Sequence, residues 1–316
     1  MRRRAFVGSV FAGLSITGLS ARPPKPKSGD IPTRVFGKTG VKLTVLAQGG
    51  SRMDLFPDMA AAVAHVRHEY ELGMNYFDCA HSYWGGRAEE AYGGALSGVR
   101  KEVFITSKTG KRTRADAERE LEVTLRRLRS DYLDLWQLHD VRTRDDIDRI
   151  FSPGGAIEAM EAAKKAGKCR FIGFTGHYDP ETHLAMLRAY DQWDSVLMPL
   201  HAADPAYLSF EDQVLPEAVQ RGIAIQAIKI FGKGVLLRAL SPDDCLRYVL
   251  NLPIHGAIVG CGTRGQVEDD IRVARTFRSL PAEEVTALRK KAVSGRGVLK
   301  GNEMEYWKKG FFKDAS

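Results

Sequence analysis

Short apolar runs alternate with amphipathic helical segments along most of this chain. The segment ADAERELEVTLRRLRSDY places Leu121, Leu125 and Leu128 on one face of a predicted helix. Apolar runs of strand length, such as VFITSKTG and LDLWQLHD, lie between such helices. Because a helix separates each predicted strand from the next, successive strands have to run parallel and be joined by right-handed crossovers. The pattern therefore predicts an α/β fold with a parallel sheet.

The number of repeats narrows this fold class further. RVFGKTG followed by VKLTVLAQGG predicts a β-hairpin that leads into the first strand of the sheet. Eight strand–helix units then extend to residue 275, which suits the usual length of a (β/α)8 barrel. The helix PAEEVTALRKKAVSGRG and a polar, aromatic end follow. We predict a TIM barrel with an N-terminal β-hairpin and a C-terminal helical tail over residues 31–316.

The first thirty residues differ in composition from the rest. Arg2, Arg3 and Arg4 precede an apolar stretch that is too short and too rich in Gly and Ser for a spanning helix. The run RRAFV resembles a twin-arginine signal, so we predict a signal peptide over 1–21 and a proline-rich linker over 22–30. We expect the twin-arginine machinery to export the protein to the periplasm, or a cytoplasmic location if the leader does not function. No stable membrane span is expected after processing.

Charge and cysteine content limit the possible partners. The formal net charge is +8, three charges of which belong to the leader, and no basic stripe with interleaved aromatic residues is present. Nucleic acid is therefore not predicted as a partner. The cysteines are far apart and lack CxxC spacing, which favours buried free thiols over disulfides or metal ligands; they are Cys79, Cys169, Cys245 and Cys261.

Polar residues stand at the ends of three neighbouring predicted strands. Asp78 lies within the second strand, Tyr83 follows it, Lys108 ends the third and His139 ends the fourth. Because strand C-termini converge on one mouth of a barrel, we expect these four side chains to lie together. A nearby ammonium favours the phenolate and strengthens a phenol as a proton donor, a carboxylate can hold that ammonium, and an imidazole can orient a carbonyl oxygen. The set predicts proton delivery to a carbonyl that accepts a hydride at carbon.

In the contexts D-x-A-x-x-Y, S-K and L-H, these four residues resemble the catalytic tetrad of the aldo-keto reductases. The resemblance implies that Tyr83 is the acid/base, that Lys108 and Asp78 tune it, and that His139 orients the substrate. It implies an oxidoreductase that transfers a hydride between a nicotinamide cofactor and a small carbonyl or alcohol substrate. NADP(H) is the expected cofactor, with NAD(H) as the alternative.

Two glycine-containing loops are candidates for binding that cofactor. GCGTRG spells GxGxxG, but no strands follow to complete a Rossmann fold. The helix that starts there can still hold a phosphate on its unpaired N–H groups, and the resemblance places the adenosine phosphate at this segment. The loop KIFGKGV offers groups for the pyrophosphate. The candidate residues of the two loops are Lys229, Gly232, Gly234, Gly262, Thr263, Arg264, Gln266 and Asp270.

Some positions depart from the pattern of the resembling family. After the fifth strand the chain has Thr175 and Gly176, where Ser and Asn commonly hold the nicotinamide carboxamide. Leu197 and Leu200 stand where the sixth strand usually has a Gln and a stacking aromatic residue. We expect Thr175 to contact the cofactor, His177 to face the site, and the anchoring of the nicotinamide to differ from the commonest pattern.

Two other functions remain open on the sequence alone. A barrel with a lysine at a strand end permits a lyase that uses Lys108 as a Schiff-base amine, although Asp78 would keep that lysine protonated. The chain could also be a non-catalytic nicotinamide-binding or interaction protein. Borohydride trapping on Lys108 distinguishes the lyase from the reductase. Substitution of Tyr83 by Phe distinguishes the non-catalytic protein from the reductase, because only a reductase has turnover to lose.

Overall fold

The structure is a computed structural model that describes residues 31–294 and 307–308 of the chain. The signal peptide predicted over 1–21 and the linker predicted over 22–30 lie outside these residues. A two-stranded hairpin precedes a closed barrel of eight parallel strands in chain order. The strands are β1 Thr33–Val35, β2 Lys42–Thr44, β3 Leu46–Gly49, β4 Tyr76–Asp78, β5 Phe104–Thr109, β6 Leu133–Leu138, β7 Cys169–Thr175, β8 Ser195–Pro199, β9 Ala224–Ile228 and β10 Gly256–Val259.

Helices surround this barrel and confirm the predicted TIM-barrel class. Within the described residues they are α1 Met59–Glu71, α2 Arg87–Leu96, α3 Arg114–Leu128, α4 Arg144–Phe151, α5 Ala156–Lys165, α6 Pro180–Ala189, α7 Phe210–Gln213, α8 Leu215–Gln220, α9 Pro242–Leu250, α10 Arg264–Thr276 and α11 Ala282–Ser294. The predicted apolar face of α3 is buried at Leu121, Leu125 and Leu128. All four cysteines are buried and free, as the sequence predicted. No helix in the described part of the chain is long and apolar enough to cross a membrane.

The hairpin of β1 and β2 closes the N-terminal end of the barrel. Phe36 packs against Tyr76 and Phe104, with ring centroids 5.8 and 5.3 Å away. The turn fits because Gly37 has a φ of +51° and a Cβ there would lie 2.5 Å from the backbone N of Ala224. Only glycine adopts this conformation without strain and leaves that space. The hairpin therefore leaves the C-terminal ends of the strands to form the mouth.

Two residues of the C-terminal tail pack onto the segment that follows β8. The Lys308 ammonium is fully buried and donates to Oδ1 of Asp204 at 2.8 Å and to the carbonyl of Tyr207 at 2.6 Å. The Trp307 ring meets His201 edge to face at 6.1 Å. A buried ion pair of this kind is costly to break, because the remaining charge stays buried without its partner. Trp307 and Lys308 are therefore anchored beside the mouth of the barrel.

Candidate active site

The structure brings the four predicted residues together at the mouth. Asp78 is the last residue of β4, and Tyr83 begins a 3-10 helix, Tyr83–Gly86, in the loop that follows. Lys108 is the penultimate residue of β5, and His139 directly follows β6. Because β4, β5 and β6 are hydrogen-bonded neighbours in the barrel, their C-terminal ends present these side chains to one space.

Lys108 is held rigidly by the last residue of β4 and by the residue that follows it. Its Nζ donates to both carboxylate oxygens of Asp78 at 2.7 Å and to the carbonyl of Cys79 at 2.5 Å. Oδ1 of Asp78 also accepts from the hydroxyl of Thr106 at 2.7 Å. These bonds occupy all three protons of the ammonium. The lysine is therefore a fixed positive charge that has no lone pair available for nucleophilic attack.

Tyr83 lies between this lysine and the histidine. The Lys108 Nζ is 5.2 Å from the centroid of the Tyr83 ring, and that ring meets His139 edge to face at 5.6 Å. Burial raises the pKa of Tyr83 well above its usual value, and the negative charge of Asp78 adds to the effect. The sequence led us to expect that Lys108 would favour the phenolate, but burial and the Asp78 carboxylate outweigh the nearby ammonium in the resting site. Tyr83 is therefore a protonated phenol at neutral pH, with a proton to donate.

His139 is neutral and its loop is fastened in place. Burial, with the charge of Lys108 second, lowers the pKa of His139 well below its usual value. Its backbone N–H donates to the carbonyl of Thr109 at 2.8 Å. Arg112 Nη2 donates to the His139 carbonyl at 2.9 Å, and its Nε donates to Oδ1 of Asp146 at 2.7 Å. A neutral imidazole held in this way can donate one hydrogen bond to a carbonyl oxygen. Sequence reasoning missed Arg112, although an arginine shortly after a predicted strand was a visible signal.

The loop after β10 exposes polar groups at the start of α10. Thr263 caps this helix by accepting from the backbone N–H of Gln266 at 3.3 Å, and the Gln266 side chain accepts from the N–H of Gly262 at 2.8 Å. Arg264 is the first residue of α10 and is exposed. Asp270 points elsewhere, because its buried carboxyl accepts a hydrogen bond from the Cys261 thiol at 3.3 Å. The helix start and Arg264 thus suit a phosphate, whereas the carboxyl of Asp270 packs inside.

The loop after β9 gathers positive charge at the mouth. Burial, with the charge of Lys233 second, lowers the pKa of Lys229 to about 8. Burial and the charge of Arg52 lower the pKa of Lys233 in turn. Gly232 and Gly234 both have positive φ and turn this loop back on itself. Lys229 is partly buried, whereas Lys233 and Arg52 are exposed. Cations that repel one another in this way favour an anionic ligand. Arg52, in the 3-10 helix after β3, was not identified from the sequence.

The end of β7 is tied to the His139 loop. The Thr175 hydroxyl oxygen accepts from the N–H of Asp140 at 2.9 Å, and the Thr175 carbonyl accepts from the N–H of Val141 at 2.8 Å. A Cβ at Gly176 would lie 2.6 Å from the carbonyl oxygen of Val141 and 2.7 Å from Cε1 of His183. There is therefore no space for an asparagine at position 176, and Thr175 braces the loop that carries His139.

Known proteins are similar to this chain in sequence and in fold. A family model described as the aldo/keto reductase family matches residues 46–244. L-galactose dehydrogenase of Arabidopsis thaliana is 27% identical over 300 residues, which cover 81% of this chain and 92% of that protein. An aldo-keto reductase of Bacillus halodurans in its holo form superposes with a TM-score of 0.72 at 24% identity, covering 83% of this chain and 96% of that one. For an aldo-keto reductase of Klebsiella pneumoniae in complex with NADPH, the TM-score is 0.69 at 23% identity, with 83% and 95% covered. The two structural likenesses show a common fold.

Proposed function

The chain belongs to the aldo/keto reductase family, and from this premise we propose that it is an oxidoreductase that uses NADP(H) and a small carbonyl or alcohol substrate. The observation that carries the proposal is the fixed arrangement of Lys108, Asp78, Tyr83 and His139 at one mouth. A protonated phenol beside a neutral imidazole provides two hydrogen-bond donors for one carbonyl oxygen.

The proposed mechanism follows from the protonation states of these groups. A nicotinamide cofactor supplies or accepts the hydride when bound. His139 and Tyr83 donate hydrogen bonds to the substrate carbonyl oxygen and orient it. As the carbon accepts the hydride, Tyr83 passes its proton to the oxygen, and the nearby Lys108 ammonium stabilises the phenolate that remains. Alcohol oxidation runs through the same steps in reverse, with the phenolate as the base.

NADP(H) is the cofactor that we propose, because positive charge surrounds the two glycine-containing loops. Lys229, Lys233 and Arg52 provide cations for a pyrophosphate, and the exposed Arg264 at the start of α10 provides one for the adenosine phosphate. The reductase from Klebsiella pneumoniae was solved in complex with NADPH, which supports the same choice. Thr175 contributes by holding the loop that carries His139.

Replacing Arg264 by Ala is expected to raise the Kd for NADPH by roughly tenfold. This is the lower end of the range of affinity losses expected when a hydrogen bond to a charged group is removed. The Kd for NADH should not change, because NADH lacks the adenosine phosphate. Isothermal titration of both cofactors checks this. Arg275→Ala is the matched control, since Arg275 is an exposed arginine at the other end of the same helix. Equal losses for NADPH and NADH would contradict the assignment of Arg264.

The hydrogen bonds of Lys108 argue against the Schiff-base lyase. A lysine must lose a proton before it attacks a carbonyl, and here the ammonium donates to three oxygen atoms at once. Turnover of a broad panel of small aldehydes, ketones, sugars and alcohols with NADPH or NADP⁺ tests the proposal. Consumption of reduced cofactor supports it. A borohydride-trapped adduct at Lys108 would favour the lyase, and cofactor binding without any turnover would favour the non-catalytic alternative.

We also propose that the twin-arginine machinery exports the protein to the periplasm with its cofactor already bound. The run RRAFV in the leader supports this route. Because the route carries folded proteins, the cofactor can bind before export. Replacing Arg3 and Arg4 together by Lys is expected to keep the uncleaved precursor in the cytoplasm, as measured by cell fractionation and immunoblotting. Arg2→Lys is the control and should leave export unchanged. Periplasmic mature protein from the double variant would contradict this route.

A further inference from the structure

The loop after β7 brings to the mouth a histidine that proton delivery does not use. His177 lies two residues after the end of β7, and its Nε2 is 3.3 Å from Oδ1 of Asp140. Asp140 directly follows His139. After burial and Lys108, His177 also lowers the pKa of His139, because its ring can be protonated in the same acid range. His177 is therefore held beside the residue that we propose to orient the substrate, and 19% of its side chain remains exposed.

Asp140 is held in front of this histidine by hydrogen bonds to other residues. Its φ of +54° is in the left-handed region, which Asp tolerates better than most residues. Its N–H donates to the Thr175 hydroxyl at 2.9 Å, and its Oδ2 accepts from Nε of Arg142 at 2.7 Å. Burial opposes ionisation, but Arg142, together with His177 when it is protonated at acid pH, outweighs burial and lowers the pKa of Asp140. Asp140 is therefore a carboxylate whose second oxygen, Oδ1, faces His177.

This contact determines which nitrogen of His177 can bind a ligand. Burial lowers the pKa of His177 even though Asp140 opposes the shift, so the ring is neutral at pH 7. A neutral imidazole has one donor and one acceptor nitrogen. The Asp140 oxygen 3.3 Å away would repel a lone pair on Nε2, so the proton is assigned to Nε2, and Nδ1 carries the lone pair. Among the residues that the structure describes, none donates a hydrogen bond to this Nδ1.

The neighbouring positions in the loop do not offer an equivalent group. Gly176 has no space for a side chain, because a Cβ would lie 2.6 Å from the carbonyl oxygen of Val141. The hydroxyl oxygen of Thr175 already accepts from Asp140. The loop therefore presents His177 as a preoriented acceptor at the mouth.

We propose that His177 is a ligand-binding residue whose Nδ1 accepts a hydrogen bond from an N–H or O–H group next to the reacting carbon, and that Asp140 is its positioning residue. Two ligands carry such a donor: the carboxamide of the nicotinamide, and a substrate with a hydroxyl beside its carbonyl. The inference rests on the proposed function, because both ligands follow from it.

The test replaces His177 by Phe, which keeps a ring of similar size and removes the acceptor. In the cofactor arm, the Kd of NADP⁺ is compared with that of its 3-acetylpyridine analogue, which lacks the carboxamide NH₂. If the carboxamide is the donor, the variant binds NADP⁺ about 3- to 10-fold more weakly, as for one lost hydrogen bond, and binds the analogue as the wild type does. In the substrate arm, kcat/KM is compared for glycolaldehyde and acetaldehyde. If the substrate hydroxyl is the donor, the variant lowers kcat/KM by the same factor for glycolaldehyde and leaves kcat/KM for acetaldehyde unchanged.

Controls separate this inference from the proposed function. Tyr178→Phe removes the next polar side chain in the loop and should leave both comparisons unchanged. Asp140→Ala should redistribute the His177 proton between Nδ1 and Nε2, which imidazole ¹⁵N chemical shifts report and a purely structural role would not alter. If the wild type binds no NADPH or NADP⁺, the proposed function itself fails. If the wild type binds cofactor and His177→Phe changes neither comparison, the inference about His177 is overturned. It is also overturned if His177→Phe leaves the binding of NADP⁺ and its analogue unchanged and the wild type reduces neither aldehyde.

Discussion

Replacing Tyr83 by Phe is expected to reduce kcat by about 10²- to 10⁴-fold, the usual contribution of a positioned proton donor. The phenol is the group with a raised pKa at the mouth, and it lies between Lys108 and His139. A phenyl ring preserves the packing but has no proton to give. The Kd for NADPH should not change, because no loop that we assign to the phosphates contains Tyr83. Steady-state kinetics and fluorescence titration of NADPH measure the two effects separately.

Tyr190→Phe is the matched control for the loss of a phenol. The Tyr190 hydroxyl donates to Glu161 at 2.9 Å in a contact between α5 and the end of α6, outside the mouth. We expect this variant to retain full kcat. A Tyr83→Phe enzyme that turns over at the rate of the wild type would assign proton donation to another group, and the mechanism proposed here would be wrong.

Replacing Lys108 by Met is expected to reduce both kcat and stability. Met retains most of the apolar stem but removes the ammonium, which leaves the Asp78 carboxylate buried without its partner. Breaking a buried ion pair on one side costs about 3–5 kcal/mol of unfolding free energy. Activity falls because the phenolate of Tyr83 loses the charge that stabilises it. Denaturant unfolding measures the first effect and kcat measures the second.

A double variant separates stability from catalysis. Lys108→Met combined with Asp78→Asn removes both charges, so no unpaired carboxylate remains in the barrel. We expect it to recover most of the unfolding free energy that Lys108→Met loses, while kcat stays low. If the double variant regains activity together with stability, Lys108 has only a structural role. If Lys108→Met alone is as stable as the wild type, Asp78 and Lys108 do not form the tight pair described above.

The positions of the tetrad were predictable because they depend on topology. Once Asp78, Lys108 and His139 are placed at the ends of parallel strands, barrel closure brings them to one mouth. The direction in which the pKa of Tyr83 shifts was not predictable. It depends on the burial of the ring and on the Asp78 carboxylate, both oxygens of which accept from Lys108. Those quantities are set by side-chain packing, which a motif does not specify.

The candidate residue Asp270 illustrates a signal that was present in the sequence. In α10 it lies three residues after Val267 and four before Ala274, and both of these are buried. Helical periodicity thus places Asp270 on the inward face, where its carboxyl accepts from the Cys261 thiol. By contrast, Arg52 is brought towards the loop after β9 by the barrel itself, so no local pattern identified it.

The most direct test of the central claim is isotope transfer from the cofactor. The protein is incubated with an aldehyde that it reduces, or with the aldehyde panel, and with NADPH that is fully deuterated at C4 of the nicotinamide; the product is analysed by mass spectrometry and NMR. Hydride transfer at the mouth formed by Tyr83 and His139 predicts one deuterium on the former carbonyl carbon of the alcohol. Alcohol that lacks this deuterium, or bound NADPH with no alcohol formed from any aldehyde, would contradict the account.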